Sequence, residues 1–127
     1  MATWATKIGP ITLFVEDLDA TRQFYLDVFD VSIVFEDENS AVFDFSNTLV
    51  NLLRSTEASE LVEPAAVAPH DTGTRALLTI TVDDVDAVHE ELVRRGVAFL
   101  NGPIDRPWGV RTAAFADPGG HVWEIAK

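Results

Sequence analysis

Residues 11–20 read ITLFVEDLDA, and residues 78–87 read LTITVDDVDA. Thr12, Val15, Asp17, Asp19 and Ala20 return as Thr79, Val82, Asp84, Asp86 and Ala87, an offset of 67. Ile11/Leu78, Leu13/Ile80, Glu16/Asp83 and Leu18/Val85 are conservative pairs, and only Phe14/Thr81 differs in kind. A repeat of this length marks two copies of one supersecondary unit. Module 1 is expected over about 7–55, a joint over 56–74 and module 2 over about 75–127. The joint mixes proline with polar residues and keeps no period, as a connection between modules does.

The same pattern unfolds in both halves. Residues 8–15 and 76–82 alternate and include β-branched side chains, which predicts strands. Asp17 and Asp84 are then helix N-caps, with Asp19 and Asp86 where the helix dipole favours an acid. Leu18, Thr21, Tyr25, Val28 and Phe29 form the apolar stripe of one helix; Val85, Val88, Leu92 and Val93 form that of the other. Gly96 suits a helix C-terminus, and Asp30 takes the equivalent place less comfortably. Strands are expected at about 31–36, 40–45 and 48–54, then at 97–100, 110–116 and 121–126. Asp117-Pro-Gly-Gly120 turns the last pair. Each half is β-α-β-β-β, and since one half leaves a sheet face uncovered, two must pack together.

Strand alternation sorts the faces. Ile11, Leu13 and Val15 point under the first helix, opposite Pro10, Thr12 and Phe14. Leu78, Ile80 and Val82 match them, opposite Leu77, Thr79 and Thr81. On the last strands Val50, Leu52, Trp123 and Ile125 lie beneath the helices, leaving Asn51, Val122 and Glu124 on the other, concave side.

Composition bounds the partners. The chain has 127 residues, 47% apolar and 24% charged, which suits one globular domain. Lys plus Arg number 9 against 21 Asp plus Glu, a net charge of -12. Such a field repels nucleic acid and anionic lipid and draws cations. The absence of cysteine excludes disulfides, a thiolate nucleophile and Cys-ligated metal. No apolar run approaches the length of a membrane span, and the first residues lack a secretion signal, so a cytoplasmic protein is expected.

The stretches Ile11–Tyr25, Leu78–Val97 and Arg106–Ile125 (RPWGVRTAAFADPGGHVWEI) resemble the vicinal-oxygen-chelate superfamily. That superfamily includes glyoxalase I, extradiol dioxygenases, fosfomycin-resistance enzymes and bleomycin-resistance proteins. The resemblance covers nearly the whole chain. It implies an α+β fold of two tandem β-α-β-β-β modules forming a curved eight-stranded mixed sheet around a concave cavity. Metal-dependent members hold their ion there with a residue on the first strand of each half and acids on the last strands. The corresponding first-strand residues here are Pro10 and Leu77, whose side chains have no donor atom. Glu124 remains, with Asn51 as its counterpart in the first half, and these two are the residual metal candidates. His70, His89 and His121 are not positioned to replace the missing ligands.

Two functions compete. By resemblance to bleomycin-resistance proteins, the chain binds a cationic or aromatic small molecule, such as an antibiotic, without a cofactor and in the cleft of a homodimer. Its ligand-binding residues would be Pro10, Thr12, Phe14, Leu49, Asn51, Leu77, Thr79, Trp108, Arg111, Val122 and Glu124. The alternative is a glyoxalase-like lyase, isomerase or dioxygenase using a divalent metal, or Glu124 as general base. A vestigial accessory module stays open as a third reading. Trp108 is either a stacking wall or a structural anchor, and Arg106 and Arg111 beside it either orient an anion or pair structurally. The acidic runs at 16–19 and 83–86 are caps rather than calcium ligands, and Pro118-Gly-Gly120 is a turn rather than a phosphate cradle.

Overall fold

The computed structural model describes residues 3–127 and separates into two compact units, one ending at Ala68 and the other beginning at Pro69. The first unit holds β1 (Ile11–Val15), α1 (Leu18–Phe29), β2 (Ser32–Glu36), β3 (Ser40–Asp44) and β4 (Leu49–Arg54). A 3-10 turn at Ser55–Glu57 and the short α2 (Ser59–Val62) follow. The second unit holds β5 (Leu77–Thr81), α3 (Val85–Arg94), β6 (Phe99–Asp105), β7 (Arg111–Ala116) and β8 (Val122–Ala126). The fold is α+β, and both units are β-α-β-β-β. Their sheets run β1-β4-β3-β2 and β5-β8-β7-β6, four strands each. In both, the first strand pairs parallel with the last and the remaining pairs are antiparallel.

The helices start where the sequence predicts. Asp17 accepts a hydrogen bond from the Ala20 amide and Asp84 from the Ala87 amide, both at 3.0 Å. These caps satisfy amides that the helix itself leaves unpaired. Asp30, at φ 54, and Gly96, at φ 92, end α1 and α3 in left-handed backbone.

The cores follow strand parity. Leu13, Val15, Val50 and Leu52 are buried under α1 with Leu18, Tyr25 and Phe43. The Tyr25 ring packs edge-on to Phe29 at 5.1 Å. In the second unit Trp123, Ile125, Ala113 and Phe115 are buried with Val85 and Leu92 of α3.

Several expectations need correction. Val93 is 49% exposed rather than part of the α3 stripe. It follows Leu92 by one residue, which turns it about 100° away around the helix. The joint contains the 3-10 turn and α2, the buried Ala58 between them giving this polar stretch an anchor. β1 starts at Ile11, and residues 3–10 are exposed. β6 was expected over 97–100 but runs over Phe99–Asp105, through Gly102 and Pro103. An outer strand tolerates proline, and the register slips between Asn101 and Ile104, so these residues form a bulge.

Gly102 is irreplaceable for a local reason. Its φ is +84, and a Cβ there would lie 2.4 Å from the Thr112 carbonyl oxygen and 2.7 Å from Ala113 Cα. Gly96 also has positive φ, but nothing lies within 4 Å of its missing Cβ. Gly102→Ala should therefore destabilise by at least about 2 kcal/mol, and Gly96→Ala by about 1 kcal/mol from backbone strain alone. Urea denaturation of the two variants checks the order; equal losses would contradict the close-approach argument.

Candidate functional site

On the sheet face away from α3, the second unit forms a cleft of about 460 Å³. Parity determines what enters it. Because Trp123 and Ile125 are buried on the helix side, Val122 and Glu124 of β8 face the cleft. Leu77 reaches it from β5, and Thr112 and Ala114 from β7. Leu100 and Asn101 of β6 and Arg106, Trp108 and Val110 of the β6–β7 turn complete the wall, with Thr74 at the approach to β5.

One cross-sheet row organises the polar groups. Thr79 pairs with Glu124, Glu124 with Ala114, and Ala114 with Asn101. Thr79 Oγ1 donates to Glu124 Oε1 at 2.9 Å, which fixes the carboxylate without neutralising it. Arg106 donates from Nε to Thr112 Oγ1 at 2.9 Å and from Nη2 to Asn101 Oδ1 at 3.0 Å. The turn carrying Trp108 is closed by Gly109 N donating to the Arg106 carbonyl at 3.0 Å, and the indole is 73% exposed at the rim.

The first unit has a corresponding pair. Thr12 lies opposite Asn51, the register position that Thr79 and Glu124 occupy in the second. Asn51 Nδ2 donates to Thr12 Oγ1 at 3.4 Å, while Asn51 Oδ1 is buried and accepts no hydrogen bond among the described residues. Pro10 precedes β1 and is exposed; Phe14 and Leu49 are half-buried on the same face as Thr12 and Asn51. The cleft of the second unit includes none of these five residues.

Arg111 is elsewhere. It donates from Nε and Nη2 to Asp86 at 3.0 and 2.9 Å and from Nη1 to Asp105 at 2.9 Å. Its expected place in the ligand site belongs instead to Thr112, the next residue on β7, because alternate residues change face. Hydrogen bonding from Arg111 holds the Asp86 carboxyl below its ordinary range, and the two acids hold Arg111 protonated. Arg106, Asn101, Thr112 and Ala114 were missing from the expected binding set. The signal for Thr112 and Ala114 was the parity of β7 against Glu124; Arg106 and Asn101 needed the course of the bulged β6.

The donor set does not fit the superfamily's transition metal. The side chains of Pro10 and Leu77 offer no donor, and among the described residues Glu124 is the one carboxylate that lines the cleft. Thr112 and Asn101 already serve a guanidinium, whose charge repels a divalent ion. Among the described residues no three His, Cys, Asp or Glu side chains gather as metal ligands. His89 packs against Phe99 at 4.3 Å, and the His121 amide donates to Asp117. Asp19 pairs with Arg22 at 2.6 Å, so the acids beside the caps have structural partners. No helix among the described residues is long and apolar enough to cross a membrane.

Comparison with known proteins agrees with this architecture. A family profile described as Glyoxalase/Bleomycin resistance protein/Dioxygenase superfamily matches residues 7–125. The chain is 34% identical over 125 residues to the uncharacterized protein YraH of Bacillus subtilis, covering 95% of this chain and 98% of that one. It is 27% identical over 124 residues to virulence protein STM3117 of Salmonella typhimurium, covering 95% and 83%. The crystal structure of a glyoxalase/bleomycin resistance protein/dioxygenase from Nocardioides superposes with a TM-score of 0.87 at 23% identity, covering 98% and 85%.

The Arg111 network has a testable pH signature. A carboxyl whose folded pKa is depressed stabilises the fold above its unfolded pKa and loses that contribution as pH falls through the folded value. Asp86→Asn should thus lower the melting temperature at pH 7, with the gap to wild type closing below about pH 4. A gap that persists unchanged at pH 2–3 would refute the assignment.

Proposed function

The chain belongs to the glyoxalase/bleomycin resistance protein/dioxygenase superfamily, and from that premise we propose that it is a metal-free small-molecule binding protein that sequesters a cationic aromatic compound. The observation that carries this reading is the pairing of Glu124 with Trp108 in one cleft. Thr79 holds the Glu124 carboxylate on the floor, and Trp108 stands exposed at the rim. A carboxylate and an indole both attract a cation, and the ring adds stacking area for a flat ligand. Leu77, Leu100 and Val122 supply the apolar surface that gives a binding site most of its affinity. The net charge of -12 favours the approach of such a ligand over that of an anion.

A metal-dependent lyase or dioxygenase would need donors that this cleft lacks, so the enzymatic reading has less support. Pairing of two copies is part of the proposal, as the resemblance to bleomycin-resistance proteins implies. Exposed Val34 and Phe35 on the outer strand β2, at 52% and 55%, support it. Sedimentation equilibrium should then show a species of twice the 13.9 kDa chain mass; a monomer at millimolar concentration would contradict it.

Thermal denaturation with a cationic polycyclic dye such as 9-aminoacridine tests the ligand. Stabilisation should reach about 2.7 kcal/mol at a hundred times the dissociation constant. Trp108→Ala and Glu124→Gln should each weaken binding by roughly tenfold, and the Glu124 effect should shrink with salt. Zinc, nickel and manganese should give no shift. Stoichiometric metal that copurifies and vanishes in Glu124→Ala would overturn the proposal.

A further inference from the structure

The cleft holds a cation as well as an anion, and neither neutralises the other. Among the described residues Arg106 forms no ion pair with any carboxylate, and Glu124 none with any basic side chain. Every partner that fixes them is neutral: Thr112 and Asn101 for Arg106, Thr79 for Glu124. A guanidinium has five N–H donors. Two are used here, by Thr112 and Asn101, which leaves three. Glu124 likewise keeps Oε2 without a hydrogen-bond partner among the described residues, while Thr79 occupies Oε1.

The sheet sets the positions of the anchors, with Asn101 on β6 and Thr112 on β7 holding Arg106 and Thr79 on β5 holding Glu124. Asn101, the anchor of Arg106, and Glu124 lie in one cross-sheet row on either side of Ala114. Strands are about 4.8 Å apart, so the backbones carrying these two residues stand about 10 Å from each other. Between them Ala114 contributes a single methyl group, which keeps the floor low enough for a ring to lie across it. Trp108, on the same wall as Arg106, can cover that ring from the rim.

We propose that the ligand is zwitterionic: an aromatic compound with an ammonium group on Glu124 and an oxyanion on Arg106, its ring spanning Ala114. This rests on the ligand-binding reading given above and deepens it by adding the anionic half. The charge of the whole chain strengthens the choice of a zwitterion over a simple acid. With a net charge of -12 the protein repels a monoanion at long range, whereas a zwitterion carries no net charge to be repelled. Arg106 then supplies locally the attraction that the global field denies.

Three probes on the intact chain separate the possibilities by isothermal titration calorimetry: 4-(aminomethyl)benzoate, its methyl ester, and benzoate. All share one ring, and they differ in which charges they present. The zwitterion should bind at least about tenfold tighter than the ester, and benzoate should bind weakest. Arg106→Gln should bring the zwitterion down to the affinity of the ester, and Arg106→Lys, which keeps the charge but not the fork, should restore part of the difference. If Arg106→Gln does not fold, the ratio of zwitterion to ester on the wild-type chain decides alone. Equal affinities for zwitterion and ester would overturn this inference and leave the cationic aromatic reading standing. If neither amine binds, both fall.

Discussion

In each repeat the first strand lies parallel against the last, with Leu13 opposite Leu52 and Ile80 opposite Ile125. A parallel pair cannot be closed by a tight turn; it requires a crossover, and here the connection leaves the first strand through a helix and returns through two further strands. That requirement explains the acids at Asp17 and Asp84. Each strand must end and its helix begin within two or three residues, and a capping carboxylate permits so abrupt a change of direction. The helix covers one sheet face, and the other face is left for side chains that the core does not need.

The two repeats use that second face differently. At equivalent register positions, one presents Thr12 with Asn51 and the other Thr79 with Glu124. Replacing an amide by a carboxylate turns the same cross-strand pair from a neutral contact into a fixed negative charge. The scaffold tolerates this because the position belongs to the solvent-facing parity, so the buried residues on either side, Trp123 and Ile125, are undisturbed. Duplication followed by divergence on one parity is thus enough to make a charged site while the hydrophobic layer is kept.

Most of this was legible in the sequence because it depends on short-range rules. The repeat, both caps, the face assignment of Glu124 and Asn51 and the end of α3 at Gly96 all follow from spacing and residue type. Three features did not. A strand was expected over 97–100, yet β6 runs on to Asp105 because an outer strand absorbs Gly102 and Pro103 as a bulge, which depends on strand order rather than on local propensity. Val93 matched the apolar stripe in kind but not in angle. Arg111 stood near Trp108 along the chain, but β7 turns it to the helix side, and no reading of neighbours could show that Asp86 would meet it there. Arg106 was named beside Trp108 with its role left open between anion orienting and structural pairing, and its hydrogen bond to Asn101 depended on the course of the same bulged strand.

Consecutive residues of β7 separate two electrostatic regimes. Arg111 is met by Asp86 and Asp105, so its charge is spent on holding α3 and β6 to the sheet. Thr112, one residue on and on the opposite face, accepts from Arg106 and leaves that charge intact. A guanidinium anchored by two neutral hydrogen-bond partners is ordered before any ligand arrives, so little side-chain freedom remains to be lost on binding. Glu124, fixed by the Thr79 hydroxyl, is prepared in the same way. Were the two to meet, their attraction would cancel both charges and close the floor over Ala114. The neutral anchors at Thr79, Asn101 and Thr112 leave each charge without a counter-charge instead, which is the arrangement that the proposed zwitterionic ligand requires.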